Sequence, residues 1–474
     1  MTQDRRFHIR FHINDSGWRA IYADGFTVER LTSIVSALAR IFPKQKALVG
    51  FDNRFLSREF ANHVAWILEQ NGWRSDLCSE VFPTPGVAKC VRSAGGVYDF
   101  GLMVTASHNP YYYNGLKILD RNGALIDRPL ADRIESLASD LEGTEPTGFQ
   151  VTRRNGRLRD VGDLSRRYVD EILSHVNAEA IRDARLKVCW DGFGGTTPPL
   201  FLEFFKRLGV SGEEVPMVRE PTYGGRRLEP DETSLASLGE LVRQTKSIVG
   251  IATDVDGDRF SVVDEDGRYV LNNALASLMV WYLLAVRGEL GTVYQTVSCS
   301  RLTEKIAAAF GVSCETVPVG FLVMGRLMVE DSRSLVGIEE TGGLAYAPHL
   351  PFKDGLMAHA LVLEMLATLK KPLTTLIEEM FSNYGRVHYR RVDLRLDSLA
   401  EADPWLAPER WERTVGESVQ STSTIDGVKW FFPSGWLLIR RSKTEPLLRI
   451  YFESPDEDFV LRVAAVLEKA RISP

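Results

Sequence analysis

Cysteine is scarce in this chain, and the five present, Cys78, Cys90, Cys189, Cys299 and Cys314, include no CxxC pair. An odd number without paired spacing gives neither a disulfide framework nor a cysteine zinc site, so a reducing cytoplasm is the expected setting. No apolar run approaches the roughly 20 residues that a membrane span needs. The opening MTQDRRFHIR has no apolar stretch behind it, so neither anchor nor export signal is expected. A basic excess is missing too. The formal net charge is -6, with Lys and Arg spread along 474 residues, which leaves no footprint for nucleic acid; an anionic ligand has to be caught by local groups. Low-complexity tracts and residue-level repeats are likewise absent.

What is present is an ordinary globular composition, 44% hydrophobic and 25% charged, long enough for roughly three to four domains. Leu31, Ile34, Val35, Leu38 and Ile41 recur at helical spacing, and ALVGFD then reads as a short buried strand. In SREFANHVAWILEQNG, Phe60, Val64, Ile67 and Leu68 share one face and Gly72 marks the helix end, before PTPG turns the chain. The polar EGTEPTGFQVTRRNGRLRD marks a first boundary near residues 143 to 160. Two further α/β units follow, one with LKVCWD, LFLEFFKRL and SIVGIAT, the other with NNALASLMVWYLLAV, TVYQTVS and SLVGIE. After about residue 380 the order changes to the short strands VHYRRVDL, VKWFF and WLLIR, closed by the helical EDFVLRVAAVLEKA, which predicts an α+β tail.

Strands of α/β sheets deliver ligand-binding groups at their C-terminal ends. Four polar loops stand at such places: TASHNP after GLMV, TDVDGDR after SIVGIA, EETGG after SLVGI and RRSKTEP after WLLI. The second carries Asp254, Asp256 and Asp258 at alternating positions, which in an extended segment puts three hard oxygen ligands for Mg²⁺ on one side. An EF-hand is a rival, with Glu265 at its twelfth position, but Arg259 replaces the glycine at the sixth and strand-like runs flank the loop. A solvated acidic turn is the other alternative, and Arg259 beside the carboxylates favours an anionic phosphate over it.

TASHNP, read alone, is either an Asn/Ser turn or a loop that presents a nucleophile. Ser107 and His108 are adjacent, so their side chains diverge, and no GxSxG elbow supports a serine hydrolase. Phosphoryl transfer asks for a nucleophile, a cation and positioning donors, and Ser107 facing an Asp-bound Mg²⁺ supplies the first two. RRSKTEPLLRIYFE gathers Arg440, Arg441, Ser442, Lys443, Thr444 and Arg449, either as a solvated basic turn or as guanidinium forks and hydroxyls for phosphate oxygens. Glu339, Glu340 and Thr341 offer acceptors to a sugar, and Gly342 and Gly343 allow close backbone approach.

Taken in order, these four loops resemble the signatures of the α-D-phosphohexomutases of the phosphoglucomutase/phosphomannomutase type. TASHNPYYYNGLK resembles the phosphoserine loop, TDVDGDR the metal loop, GIEETGG the sugar loop and RRSKTEPLLRIYFE the phosphate loop. DSGWRAIYADGFT, VGFDNRFLSREFA and PTPG extend the resemblance over nearly the whole chain. It implies a heart-shaped, four-domain α/β architecture around a deep cleft: three related α/β domains at 1–150, 151–265 and 266–378, and a C-terminal α+β domain at 379–474.

The implied activity is intramolecular phosphotransfer between hexose 1-phosphate and hexose 6-phosphate, through a phosphoserine enzyme and a bisphosphorylated sugar. Glucose phosphate is the first expectation, with mannose or amino-sugar phosphate as alternatives. Mg²⁺ and glucose 1,6-bisphosphate are the expected cofactors, a hexose phosphate the partner, and monomer or homodimer the expected state. Carried over by motif, Ser107 is the phosphorylated serine, with His108 and Asn109 shaping its loop, and Asp254, Asp256 and Asp258 hold the metal with the serine oxygen. Arg259 and Arg19 are active-site arginines and Lys117 the proposed general base. Glu339 and Thr341 are expected on sugar hydroxyls, His349 as an additional sugar or proton-transfer contact, and Arg440, Ser442, Lys443, Thr444 and Arg449 on the unreacting phosphate. Three positions depart from the family pattern: Leu322 where lysine is common, Lys443 where glycine is preferred, and Thr341 where serine is usual. A non-catalytic sugar-phosphate-binding protein is the alternative of another class, disfavoured by the intact Ser107, Lys117 and three aspartates.

Overall fold

A computed structural model of the chain describes residues 12–14, 16–93, 96–145, 148–150, 157–217, 220–396, 399–441 and 447–472. They form two compact units, one drawn from the chain up to residue 272 and from 320–374, the other from 273–319 and from 375 onward.

In the first unit the predicted apolar stripe becomes the helix Val28–Ile41, started by Thr27, whose side chain accepts from the Arg30 amide, with Leu31, Ile34, Val35 and Leu38 buried. It packs against the helices Ser57–Gln70 and Arg128–Leu141. The unit's six-stranded sheet is ordered Trp18–Ile21, Tyr113–Leu119, Phe100–Val104, Lys46–Phe51, Arg74–Cys78, Arg157–Arg159. The last four run parallel, and the first two run antiparallel to their neighbours. The helix Ser57–Gln70 ends at Asn71, and Gly72 follows it with φ +80°, the left-handed backbone that suits glycine after a helix. PTPG does more than turn the chain. It opens the helix Thr84–Arg92, with Pro83 as its extended N-cap and Pro85 in its first turn, where proline's fixed φ and missing N–H fit a helix start.

The second sheet is ordered Ser261–Val263, Val249–Ala252, Lys187–Asp191, Ser211–Glu214. Its buried side chains Cys189, Ala252 and Val263 share a core with Leu238 and Val242 of the helix Ala236–Thr245 and with Phe193 and Tyr223. Ser334–Glu339 and Gly343–Tyr346 form a further antiparallel pair in this unit.

The second unit holds the parallel pair Thr292–Thr296 and Cys314–Val317. It also holds a five-stranded antiparallel sheet ordered His388–Arg395, Leu447–Ser454, Trp436–Arg441, Val428–Phe431, Ser421–Ser423. The helix Glu457–Ile472 packs on that sheet, burying Phe459, Val463 and Leu467 against Trp411, Ile439, Leu448 and Phe452. This is the α+β tail that the sequence predicts. Among the described residues no helix is long and apolar enough to cross a membrane.

All four polar loops follow one rule. Each leaves a buried strand and returns on an antiparallel neighbour: Phe100–Val104 to Tyr113–Leu119, Val249–Ala252 to Ser261–Val263, Ser334–Glu339 to Gly343–Tyr346, Trp436–Arg441 to Leu447–Ser454. Gly115 shows how tightly the first return is packed, since a Cβ there would stand 2.2 Å from the Trp18 carbonyl oxygen and 2.7 Å from that of Thr105. Gly115→Ala is expected to destabilise the protein by about 1–3 kcal/mol, the usual range for overpacking. The midpoint of urea unfolding checks this.

Candidate active site

Ser107 closes the buried strand Phe100–Val104 with φ +51°, a left-handed backbone that a non-glycine residue holds only when its surroundings enforce it. The enforcing group is Arg54. Its guanidinium, itself buried, donates to the carbonyl oxygens of Ser107 at 2.5 Å, Asn109 at 2.6 Å, Pro110 at 2.8 Å and Tyr113 at 3.1 Å. Asp52 neutralises it at 3.2 Å and also accepts from Thr105 Oγ1 at 2.7 Å and Ser57 Oγ at 2.8 Å. Thr105 in turn accepts from the Ser107 amide at 2.9 Å. Neither Arg54 nor Asp52 was singled out from the sequence. The signal was an arginine and an aspartate in FDNR, directly after a strand too apolar to leave them in water.

So held, Ser107 Oγ donates to Asp254 Oδ2 at 2.5 Å. Asp254, Asp256 and Asp258 are all fully buried, on the loop between Val249–Ala252 and Ser261–Val263. The flanking strands exclude the EF-hand, which needs helices there. The loop is pinned from several sides. Thr84 donates to Asp256 through both its amide, at 2.9 Å to the carbonyl, and its hydroxyl, and the Gly355 amide donates to the Gly257 carbonyl at 3.0 Å. Backbone amides of Asp258 and Arg259 donate to Asp254 Oδ1 at 3.1 and 3.2 Å.

Cations surround the acids. Lys117, from the strand Tyr113–Leu119, donates to Asp256 Oδ2 at 2.6 Å and to Asp258 Oδ2. Burial works against its charge, but the two carboxylates outweigh burial and raise its pKa above the ordinary lysine value. Lys117 is therefore a held ammonium in this geometry, and serves as a base only once that grip is released. Asp256 is the mirror case: burial favours its neutral form, yet Lys117 and Thr84 hold it below the usual carboxylate range. Asp254, with less cationic compensation, is pushed up to about 7 by burial and by the charges of Asp258 and Asp256. His108 lies 3.3 Å from Ser107 Oγ and 3.4 Å from an Arg259 nitrogen. Burial, then the charges of Arg259, Arg19, Lys353 and Lys117, lowers its pKa well below the ordinary value, so its ring is neutral. Arg259 is paired with Glu229 at 3.1 Å, and Arg19 donates to Asn109 Oδ1 at 2.7 Å.

A divalent metal fits this donor set. One oxygen from each aspartate lies within 4.8 Å of the others, and Asp256 Oδ1 and Asp258 Oδ1 are buried without a hydrogen-bond partner. Orphaned carboxylate oxygens are costly in an interior, and two of them beside a third carboxylate suit a hard cation.

Glu339 enters the same neighbourhood through Lys353, whose ammonium is 3.4 Å from Glu339 Oε2 and 3.6 Å from Asp258 Oδ1. The loop's Gly342 has φ +84° and its carbonyl accepts from the Phe260 amide at 2.8 Å, tying EETGG to the end of the acidic loop. Lys353 was also missed from the sequence. His349 makes its contacts elsewhere, with Asp354, Tyr168 and His175. Thr341 is half-buried, and Leu322 is buried in the first turn of the helix Phe321–Glu330.

In the second unit Arg440 and Arg449 face each other across neighbouring strands. Like charges directly opposite repel. Arg440 is compensated by Asp426 at 2.6 Å. Ser442, Lys443 and Thr444 lie outside the described residues.

Comparison with known proteins identifies the family. Family models described as phosphoglucomutase/phosphomannomutase α/β/α domains I, II and III match residues 10–144, 166–267 and 272–384, and the C-terminal domain model matches 395–470. The chain belongs to the phosphoglucomutase/phosphomannomutase family. It is a phosphohexomutase, an intramolecular phosphotransferase. A phosphoglucosamine/phosphogalactosamine mutase of Sulfurisphaera tokodaii is 31% identical, covering 96% of this chain and 97% of that protein. A phosphoglucomutase/phosphomannomutase of Thermococcus kodakarensis is 30% identical over 80% of this chain and 79% of its own length. A crystal structure from Thermus thermophilus, named for phosphomannomutase, superposes with a TM-score of 0.83 at 25% identity, covering 97% of this chain and 99% of that one.

Because Arg54 serves four carbonyls with a planar fork, lysine cannot replace it. Losing charge-assisted bonds worth about 1.5–3 kcal/mol each, Arg54→Lys in this phosphohexomutase is expected to lose roughly ten- to a hundredfold in kcat/KM. Steady-state kinetics at unchanged circular dichroism provide the check.

Proposed function

We propose that the chain interconverts a hexose 1-phosphate and a hexose 6-phosphate through a phosphoserine at Ser107. The observation that carries this reading is the left-handed Ser107, with its hydroxyl 2.5 Å from Asp254 at the edge of a metal-competent carboxylate set. In the forward step the bond between phosphorus and Ser107 Oγ breaks and one forms to a sugar hydroxyl. The bisphosphorylated sugar then returns its other phosphoryl group to Ser107. A divalent cation such as Mg²⁺, held by Asp254, Asp256, Asp258 and the Ser107 oxygen, supplies charge compensation for the phosphoryl group. Arg259 and Arg19 add donors to that group, and neutral His108 accepts a hydrogen bond without adding charge. Lys117 fits the base role carried over from the family only when Asp256 and Asp258 no longer hold its ammonium. Glu339 and Thr341 are assigned to sugar hydroxyls, and Arg440 and Arg449 form an anion-binding face on their own unit. Glucose 1,6-bisphosphate is the expected primer, and five cysteines that form no disulfide support a cytoplasmic setting.

Glucose phosphate is the first substrate reading, in line with the name of the Thermococcus relative. An amino-sugar phosphate is the second, favoured by the name of the Sulfurisphaera relative and by the two buried carboxylates Glu339 and Glu340, which suit a sugar ammonium. Coupled assays on glucose 1-phosphate, mannose 1-phosphate and glucosamine 1-phosphate, each primed with its bisphosphate, decide between them.

Peptide mass measurement is expected to find phosphate on Ser107, and Ser107→Ala to abolish turnover. A Ser107 that never takes phosphate, in a protein whose Ser107→Ala variant still turns over, excludes the mechanism. Asp256→Asn should lose far more activity than stability, since it weakens the metal set and frees Lys117. Unchanged rates after both this substitution and chelation would place the chemistry elsewhere.

A further inference from the structure

Glu171 and His175 stand one helical turn apart at the end of the helix Val161–Ser174, where His175 is the C-cap, and His349 meets them from the turn after Gly343–Tyr346. One donor atom from each lies within 4.8 Å of the other two. His175 Nε2 is 3.2 Å from Glu171 Oε1, and the two imidazole rings are 5.6 Å apart, nearly perpendicular.

The state of His349 can be read from its partners. Asp354 accepts at Oδ2 from the Tyr168 hydroxyl at 2.7 Å, and at Oδ1 from the Leu356 and Met357 amides, both at 3.0 Å. An ionised carboxylate only accepts, so the 2.8 Å contact from His349 Nε2 puts the ring proton on Nε2. Nδ1 is left with its lone pair. That atom is buried and has no hydrogen-bond partner, on a side chain with 0% exposure. A carboxylate that orients a histidine and leaves its other nitrogen bare is the arrangement that supports histidine ligands of metals.

We propose that Glu171, His175 and His349 form a second metal site, separate from the aspartate loop and selective for a zinc-class ion. Two imidazoles and one carboxylate suit Zn²⁺, whereas the all-oxygen aspartate set suits Mg²⁺. With three protein donors, a tetrahedral ion keeps one position for water. Bonds of about 2.0–2.2 Å require the donors to close in, and Glu171 and His175, both partly exposed, are the members with room to move.

Lys89 competes with the ion. The Lys89 ammonium donates to Glu171 Oε1 at 2.6 Å and to the His349 carbonyl at 3.3 Å. The site therefore carries a built-in competitor, and removing it has a predictable sign.

The test is equilibrium dialysis of the full-length protein against Zn²⁺ and against Co²⁺, with Mg²⁺ in excess, followed by elemental analysis and the visible spectrum of the Co²⁺ form. One equivalent with a nitrogen-ligated Co²⁺ spectrum is expected. His175→Ala and Glu171→Gln should weaken it at least tenfold. Asp354→Asn, which keeps a good helix cap, should weaken it about 10- to 100-fold by disorienting His349. Lys89→Met should tighten it, and Asp256→Asn should leave it unchanged. Each variant's thermal melt without added metal shows that it is folded. The proposal is overturned if no such equivalent binds, if folded His175→Ala binds as tightly as the unsubstituted chain, or if Asp256→Asn is the variant that loses the ion. Because the readout is metal content, it stands apart from whether Ser107 carries phosphate.

Discussion

Three aspartates buried on one short loop are the constraint that the first unit is arranged to satisfy. Each carboxylate taken from water costs several kcal/mol unless charge and hydrogen bonds replace the lost solvent. The replacement comes from separate segments: Lys117 from one strand, Thr84 from a helix start, Lys353 from the turn before another helix, and the loop's own amides. Each donor fixes the position of the segment that carries it. The close glycine contacts follow from the same demand, as at Gly355, where a Cβ would stand 2.3 Å from the Arg259 carbonyl oxygen.

The sequence exposed the parts of this arrangement that are periodic or local. Helical spacing from Leu31 to Ile41 and the strand-then-polar-loop pattern rest on neighbours in the chain, and the structure has both; the three aspartates are gathered differently from the extended run expected, on a turn in which the Gly257 amide donates to the Asp254 carbonyl at 3.1 Å and Gly257 has φ +76°. The start of Thr84–Arg92 was hidden because PTPG serves a turn and a helix start equally well. Arg54 was hidden for a different reason. Its four acceptors are backbone carbonyls 53 or more residues away, and carbonyls have no signature in a sequence. Lys353 and Asp354 share this invisibility, since their roles come from partners at Asp258 and Tyr168. Motif resemblance pointed to Lys117 but could not show that its ammonium is held by two carboxylates.

The three polar loops that the structure describes owe their form to a single device. A strand that returns at once on an antiparallel neighbour brings its loop back with both ends fixed by ladder hydrogen bonds. With its ends fixed, such a loop can carry a strained residue like Ser107 once Arg54 holds its carbonyls, and the ladder itself can carry a repelling strand pair like Arg440 and Arg449.

The first unit is also discontinuous in the chain. Its aspartate loop is complete by residue 258, but Lys353 and the helix Gly355–Leu369, whose His359 bonds the Ala252 carbonyl at 2.9 Å, come after residues 273–319 have been committed to the other unit. On the ribosome, therefore, the acidic loop emerges long before its last supports, and its carboxylates stay hydrated through that interval. Closure of this unit is a late, long-range event that must wait for an intervening segment to leave the exit tunnel. A stalled or truncated chain ending near residue 320 would hold Ser107, Lys117 and the three aspartates and still lack the packing that buries them.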